Sequence, residues 1–412
     1  MRNSLLLIAV LVSSFIFGQC EDERYKTQIF DNFSISTDII YGQNYTQVGE
    51  LQELHLDLYE PADDLEEERA VIVLAHGGFF IEGSKDGPDV VQFAQDFAKM
   101  GYVVASIQYR LGMEADPFFP SEQTATEAVI RGFHDGKAAV RFLRKTIAED
   151  GNPYRLSNDL IFSAGVSAGG FITVHNLYLN ELDELPAIVD TTKLGLGGGV
   201  EGQSGNLNYS SEFVAGVNIA GAIGDTAWID EGEAPLISFH GDDDGTVPYN
   251  IGTIGLFGLE LGTAMGSFPI HEKLNSFNIE NCLETQEGEG HVPHVTNNLE
   301  YDTLMVMARN FLARYICNTD LTCTYEEISV GINEQKISLK VYPNPSSDFM
   351  RIELPKSQWL AEIYDLNGRV VFRKENFGNN SMLLRKDDVG KGMFTIRLTS
   401  DIGVINEKLI FN

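Results

Sequence analysis

DLIFSAGVSAGGFITVHNL, residues 159–177, decides the fold. Its first seven residues form an apolar run of buried-strand length, and from Ala168 onward apolar side chains recur at helical spacing. Between the two lies Gly165-Val166-Ser167-Ala168-Gly169-Gly170, a GxSxG motif set between a strand and a helix. Small residues surround Ser167 because the chain turns so tightly that the serine is held in a strained conformation. Ser167 is therefore the expected nucleophile.

Outward from this turn, short apolar runs alternate with longer amphipathic ones from about residue 51 to 316. Strands are expected near 53–60, 70–76, 102–109, 159–165, 214–221 and 235–241, and helices near 88–100, 121–149, 168–181, 271–277 and 300–316. The runs at 70–75 and 102–107 are almost wholly apolar, as in central strands covered on both faces. This alternation predicts an α/β class built on an open, mostly parallel sheet with flanking helices. Residues 183–212 and 249–268 are glycine-rich and break the pattern; they are expected as irregular loops above the strand ends that shape a pocket.

A serine hydroxyl needs an adjacent base, and that base needs a carboxylate to orient it. With a strand-turn-helix serine, the partners follow in the order acid, then histidine. ISFHGDDDGTVPY offers Asp242, Asp243 and Asp244, and the HGxxDxxVP spacing selects Asp244. EGEGHVPH offers His291 and His294; the GxGH setting favours His291, leaving His294 at the surface or behind the site. His240 reads as a structural residue at a strand end. The developing oxyanion needs backbone donors. His76-Gly77-Gly78-Phe79-Phe80 follows an early strand, and HGGG-type enzymes use the second and third glycine amides, here Gly78 and Phe79, together with the amide after the nucleophile, Ala168. Phe79 serves only if its backbone angles permit, with Gly77 as the substitute. Phe79 and Phe80 are also candidates for lining an apolar pocket. No metal-ligand spacing accompanies these residues, and neither a metal nor another cofactor is expected.

Charge is divided unevenly. The chain of 412 residues has 60 acidic and 29 basic side chains, a formal net of −31. Residues 337–412 carry 11 basic and 9 acidic groups, so residues 1–336 hold −33 of it. Such a surface excludes a nucleic-acid binder, which needs clustered Lys and Arg. It also repels anionic polymers, so neutral esters are the favoured substrates.

MRNSLLLIAVLVSSFIFGQ has an Arg ahead of an apolar run too short to span a membrane, the layout of a signal peptide over residues 1–18. No stable membrane span is expected in the mature chain. Lipid attachment at Cys20 is disfavoured because Gln19, not a small residue, precedes it. Cys20, Cys282, Cys317 and Cys323 should pair in an exported protein, with three connectivities open and a bridge at the C-terminal edge of the catalytic body expected. After Cys323 the pattern changes: 324–336 reads as a linker, and 337–412 as short alternating strands with turns such as Asn367-Gly368, a small all-β sandwich. The catalytic body then occupies 19–323.

In HGGFF, SIQYRLG, HDGKAAVRFLR, GVSAGG, HGDDDGTVPY and GEGH, taken in that order, residues 51–316 resemble the α/β-hydrolase carboxylesterase/lipase superfamily. The resemblance implies an α/β-hydrolase fold and hydrolysis of carboxylic esters through an acyl-enzyme without a cofactor, with Arg110 and Asp135 structural. KVYPNPSSDF, IYDLNGRVV and GMFTIRLTSDIGVINEKLIFN resemble the C-terminal sorting domain of the type IX secretion system of Bacteroidota. That implies recognition by the outer-membrane export machinery and a secreted or cell-surface enzyme. A carbohydrate-binding tail is the alternative, with Trp359 and a few tyrosines as its platform. Among functions, a serine peptidase of the prolyl-oligopeptidase type shares the triad order, but only about 50 residues precede the first core strand. A non-catalytic hydrolase-like binding protein would not need all three triad types in order. Acetylated polysaccharide, feruloyl esters and polyesters all fit the expected substrate class, and the lack of a long apolar lid helix disfavours long-chain lipids.

Overall fold

The computed structural model describes residues 20, 23–115, 118–256, 259–319, 323, 339–353, 359–365, 369–376, 381–400 and 403–412. The signal segment, the linker and the Asn367-Gly368 turn lie outside them. The chain divides into two units, Met1–Glu326 and Glu327–Asn412.

In the first unit the apolar runs become strands β1 (Phe33–Tyr45), β2 (Leu51–Pro61), β3 (Arg69–Ala75), β4 (Val103–Ile107), β5 (Leu156–Val166), β6 (Gly216–Ile219), β7 (Leu236–Gly241), a hairpin of β8 (Ile251–Leu256) and β9 (Leu259–Met265), and β10 (Asn281–Gln286). The helices are α1 (Val91–Lys99), α2 (Glu122–Glu149), α3 (Ala168–Tyr178), α4 (Ser267–Ser276) and α5 (Asn298–Cys317). An eight-stranded sheet runs β1-β2-β4-β3-β5-β6-β7-β10. It is parallel from β4 to β10, with β1 and β2 antiparallel at one edge. Strand β3 shows why the centre reads as an unbroken apolar run: Val71, Val73 and Ala75 pack with α2, α3 and α4 on one face, while Ala70, Ile72 and Leu74 pack with α1 and α5 on the other. Each valine, isoleucine and leucine among them contributes roughly 1.5–3 kcal/mol by leaving water.

Two elements depart from the sequence expectation. β1 was not expected; its register shifts twice, between Ser36 and Ile39 and between Ile40 and Gly42, which destroys the two-residue alternation that would reveal it. Residues 249–268 are not an irregular loop, since β8 and β9 pair antiparallel within them. Residues 183–212 do lack regular strands, but α2 straps them down. Arg141 reaches Glu201 Oε2 at 2.7 Å, Lys137 reaches Glu201 Oε1 at 3.0 Å, and Ser204 Oγ donates to Asp135 Oδ1 at 2.6 Å. The wholly buried Arg110–Asp135 pair sits beneath, with Arg110 also donating to the carbonyls of Tyr45 and Gly195. This is the structural role expected of both residues; removing one partner of such a pair costs on the order of 3–5 kcal/mol.

Both disulfides lie in this unit: Cys20–Cys317 joins the start of the body to the end of α5, and Cys282–Cys323 joins β10 to the segment beyond. The disulfide takes up the Cys20 thiol that a lipid thioether would need. Among the described residues no helix is long and apolar enough to cross a membrane.

The second unit contains β11 (Lys340–Tyr342), β12 (Phe349–Glu353), β13 (Trp359–Tyr364), β14 (Val370–Asn376), β15 (Ser381–Arg385), a helical turn α6 (Lys386–Val389), β16 (Gly392–Ser400) and β17 (Gly403–Phe411). They form two antiparallel sheets, β11-β12-β15 and β14-β13-β16-β17, sharing one apolar core that includes Met350, Ile352, Ile363, Leu384 and Ile396. Trp359 belongs to that core and is 2% exposed, so it cannot serve as a sugar-binding platform.

Candidate active site

β5 ends at Val166 and α3 begins at Ala168, which leaves Ser167 alone in the turn with φ 54° and ψ −113°. For a residue with a Cβ this costs on the order of 1–3 kcal/mol. The surroundings impose it: a Cβ on Gly165 would strike the Gly169 carbonyl, and one on Gly169 would strike the Ala75 carbonyl. Ser167 N donates to Ile219 O of β6 at 2.8 Å, so neighbouring strands hold the turn in place.

Three strand ends converge here. Ser167 Oγ lies 2.8 Å from His291 Nε2, and His291 Nδ1 lies 2.6 Å from Asp244 Oδ2. Asp244 follows β7 and His291 follows β10. The Asp244 side chain is fully shielded from solvent. Burial works to raise its pKa, but hydrogen bonds from His240 and His291 and from the Thr246 amide outweigh this and hold it well below the usual carboxylate range. An ionised carboxylate only accepts, so His291 carries its proton on Nδ1 and offers the Nε2 lone pair to the Ser167 hydroxyl.

The three adjacent aspartates do different work. Asp242 Oδ1 accepts from Gly288 N at 2.6 Å, Asp243 is exposed, and Asp244 alone reaches His291. His240 has more than a strand-end role, because its Nε2 lies 3.3 Å from Asp244 Oδ2 and 3.1 Å from Val247 O, while Nδ1 lies 2.9 Å from Ser267 Oγ. It orients the carboxylate that orients His291. The i, i+4 spacing in HGDDD was the available signal. His294 is buried rather than superficial, and burial pushes its pKa down to about 4.

The turn after β3 abuts the serine: a Cβ on Gly77 would sit 3.4 Å from Ser167 Cβ. Gly77 N donates to Asp89 Oδ2 at 2.7 Å, which removes that amide from the site. The amides of Gly78, Phe79 and Ala168 have no acceptor among the described residues. Phe79 adopts φ 58° and Phe80 φ 60°, so the left-handed backbone required of a residue in place of a third glycine is present. Tyr109 fixes the turn by stacking on His76, with ring centroids 4.4 Å apart, and by donating to His76 O at 2.9 Å. Sequence reading overlooked Asp89, whose position twelve residues past Gly77 carries no motif.

A cavity of about 310 Å³ opens beside Ser167. Phe79 and Phe80 stand at its nucleophile end, with Ala168, Phe171 and His175 of α3 along one wall and Ala125 and Val129 of α2 along another. Ile254 and Leu261 of the hairpin, and Pro186 and Ile188 of the 183–212 segment, close it. Both segments that broke the sequence pattern therefore contribute to the pocket. The arrangement couples a hydroxyl, a proton acceptor and open backbone donors to an apolar cleft, which is the equipment of acyl transfer.

Residues 56–194 match the BD-FAE family, an α/β-hydrolase esterase family, and residues 340–412 match the secretion system C-terminal sorting domain. No curated protein matches the chain. Solved structures similar to it include esterase 2 of the planctomycete Thermogutta terrifontis. Its cyclosarin-phosphonylated form is 20% identical, with 68% of this chain and 94% of that chain covered and a TM-score of 0.49. Its propionate-bound form is 21% identical, with 69% and 95% covered and a TM-score of 0.49. Its butyrate-bound form is 22% identical, with 64% and 90% covered and a TM-score of 0.47. By the two family-model matches, the chain carries an esterase-type α/β-hydrolase unit followed by a type IX secretion sorting domain.

Proposed function

We propose that this protein is an exported serine carboxylic-ester hydrolase working through an acyl-enzyme. The observation that carries this reading is the unbroken hydrogen-bond chain Ser167–His291–Asp244 at the mouth of an apolar cavity. Ser167 Oγ attacks the ester carbonyl as His291 Nε2 takes its proton, and Asp244 stabilises the resulting imidazolium. The amides of Gly78, Phe79 and Ala168 receive the oxyanion. His291 then protonates the departing alcohol, and water repeats the cycle on the acyl-Ser167 ester. No step calls for a metal or an organic cofactor.

The apolar walls and the −33 charge of residues 1–336 favour neutral acyl groups, on small molecules or on neutral polymers such as acetylated polysaccharide or polyester. The signal peptide would carry the chain to the periplasm, and the sorting domain would direct it across the outer membrane to the surface or the medium. Turnover of short-chain p-nitrophenyl esters by the mature protein tests the chemistry. Ser167→Ala is expected to lower kcat by about 10⁴-fold or more, and a phosphonate probe should label Ser167 and nothing else. Normal turnover by Ser167→Ala would overturn the assignment.

A further inference from the structure

His175 lies two turns along α3 from Ser167, on the same helix face as Ala168 and Phe171, and that face forms a wall of the cavity. The residue is 4% exposed. Its ring stacks against Phe171, with centroids 6.2 Å apart, and meets Trp228 edge-on at 5.7 Å. Nδ1 lies 2.7 Å from the Phe171 carbonyl oxygen. A carbonyl can only accept, so Nδ1 bears the proton. Burial pushes the ring's pKa down to about 4 and keeps it neutral. A neutral imidazole protonated at Nδ1 has a bare lone pair at Nε2.

That lone pair has no donor among the described residues. Nor is the atom sealed off, unlike Nε2 of His271 or either ring nitrogen of His294. His175 lines the cavity, and with Nδ1 engaged by the Phe171 carbonyl, Nε2 is the ring nitrogen left to meet a ligand there. A ligand that supplies a donor there gains a hydrogen bond that an otherwise similar ligand without one cannot make.

We propose that His175 is a specificity residue that accepts a hydrogen bond from a hydroxyl at the far end of the substrate arm filling the cavity, selecting ω-hydroxy esters over otherwise similar chains. This rests on Ser167 being the nucleophile. His175 lies eight positions beyond Ser167, roughly 12 Å of rise, and helical side chains lean toward the N-terminus, so the hydroxyl belongs roughly 7–9 Å from the ester carbonyl. A six-carbon arm meets that span.

The test is kcat/KM by pH-stat on the full-chain mature protein, with two series that place the arm on either side of the ester. One comprises methyl 6-hydroxyhexanoate, methyl 6-methoxyhexanoate and methyl hexanoate; the other comprises the acetates of 1,6-hexanediol, 6-methoxyhexanol and hexanol. In at least one series the hydroxyl compound should exceed its methoxy counterpart by about tenfold, the value of one buried hydrogen bond. His175→Leu should bring that ratio to within about twofold of unity, and His175→Gln, whose amide oxygen still accepts, should restore most of it. The ratio cancels any general loss of turnover, which a purely structural role for His175 would produce. Wild-type ratios near unity in both series would overturn the proposal even if His175→Leu failed to fold. Failure to hydrolyse any of the six esters in a Ser167-dependent way would instead overturn the ester-hydrolase reading itself.

Discussion

All eight histidines and all four cysteines of the chain lie in the first unit, and the second has neither. The sheets differ in the same sense. In the first unit the central strands are covered on both faces; polar groups inside them, such as Asn218 and Ser238, bond to one another, and the reactive ones gather at strand ends as Ser167, Asp244 and His291. In the second, β13 alternates buried and half-buried residues, and the core is apolar throughout. One unit holds all the histidines and cysteines; the other combines apolar packing and backbone pairing with surface polar contacts such as Arg373–Glu362 and Tyr342–Glu353. A body that performs chemistry depends on pH and redox state, whereas a body that serves as an address has no need to.

The largest expected departure from this contrast comes from the triad. Asp244→Asn keeps the shape of the acid but favours the wrong His291 tautomer, and kcat should fall by about 10⁴-fold. Far-UV circular dichroism and both thermal transitions of the full chain should change much less. A loss of activity under tenfold would mean that Asp244 does not orient His291.

Reduction comes next. Each disulfide restrains the unfolded first unit by on the order of 3–5 kcal/mol, so dithiothreitol should lower that unit's calorimetric transition by many degrees. The transition of the cysteine-free second unit should not move. Equal shifts in both would break the contrast.

Acid provides the most graded effect. His134, His175, His271 and His294 are each pushed down to about 4 by burial. In the unfolded chain they take up protons near 6.5, while the folded unit keeps them neutral, so the unfolded state binds more protons between pH 6.5 and 4. Stability of the first unit should therefore fall as pH drops through that window, by up to about 1.4 kcal/mol per pH unit for each group. Glu233, raised to about 7 by burial, and Glu284, also raised by burial, work in the opposite direction, but they are two groups against these four histidines and His76, which burial likewise lowers. The second unit's transition should stay nearly level between pH 6.5 and 5, and a parallel decline would show that its carboxylates matter as much.

The part of this organisation visible in the sequence was set by local constraint. GVSAGG permits few backbones, and HGDDDGTVP and GEGH place their charged residues at strand ends that apolar runs had already marked. What escaped was specified across space. Asp89 acts on Gly77 through a single hydrogen bond, and His175 resembles any other helix-interior residue until Trp228 and the cavity wall are in place. β1 hid behind its bulges, and the β8–β9 hairpin behind Gly255 and Gly262, which dilute the strand signal. Phe79 stands between these cases: the sequence posed the question of its backbone, and only its φ of 58° answers it.

The Cys20–Cys317 bond spans 297 residues and turns the catalytic body into a closed covalent ring. A ring survives one cut. A protease in the medium that nicks an exposed loop between those residues would release no fragment, and both new ends would remain tethered to the same packed sheet. For a chain bearing an export sorting domain, the bond thus separates the breaking of one peptide link from the loss of a piece of the body.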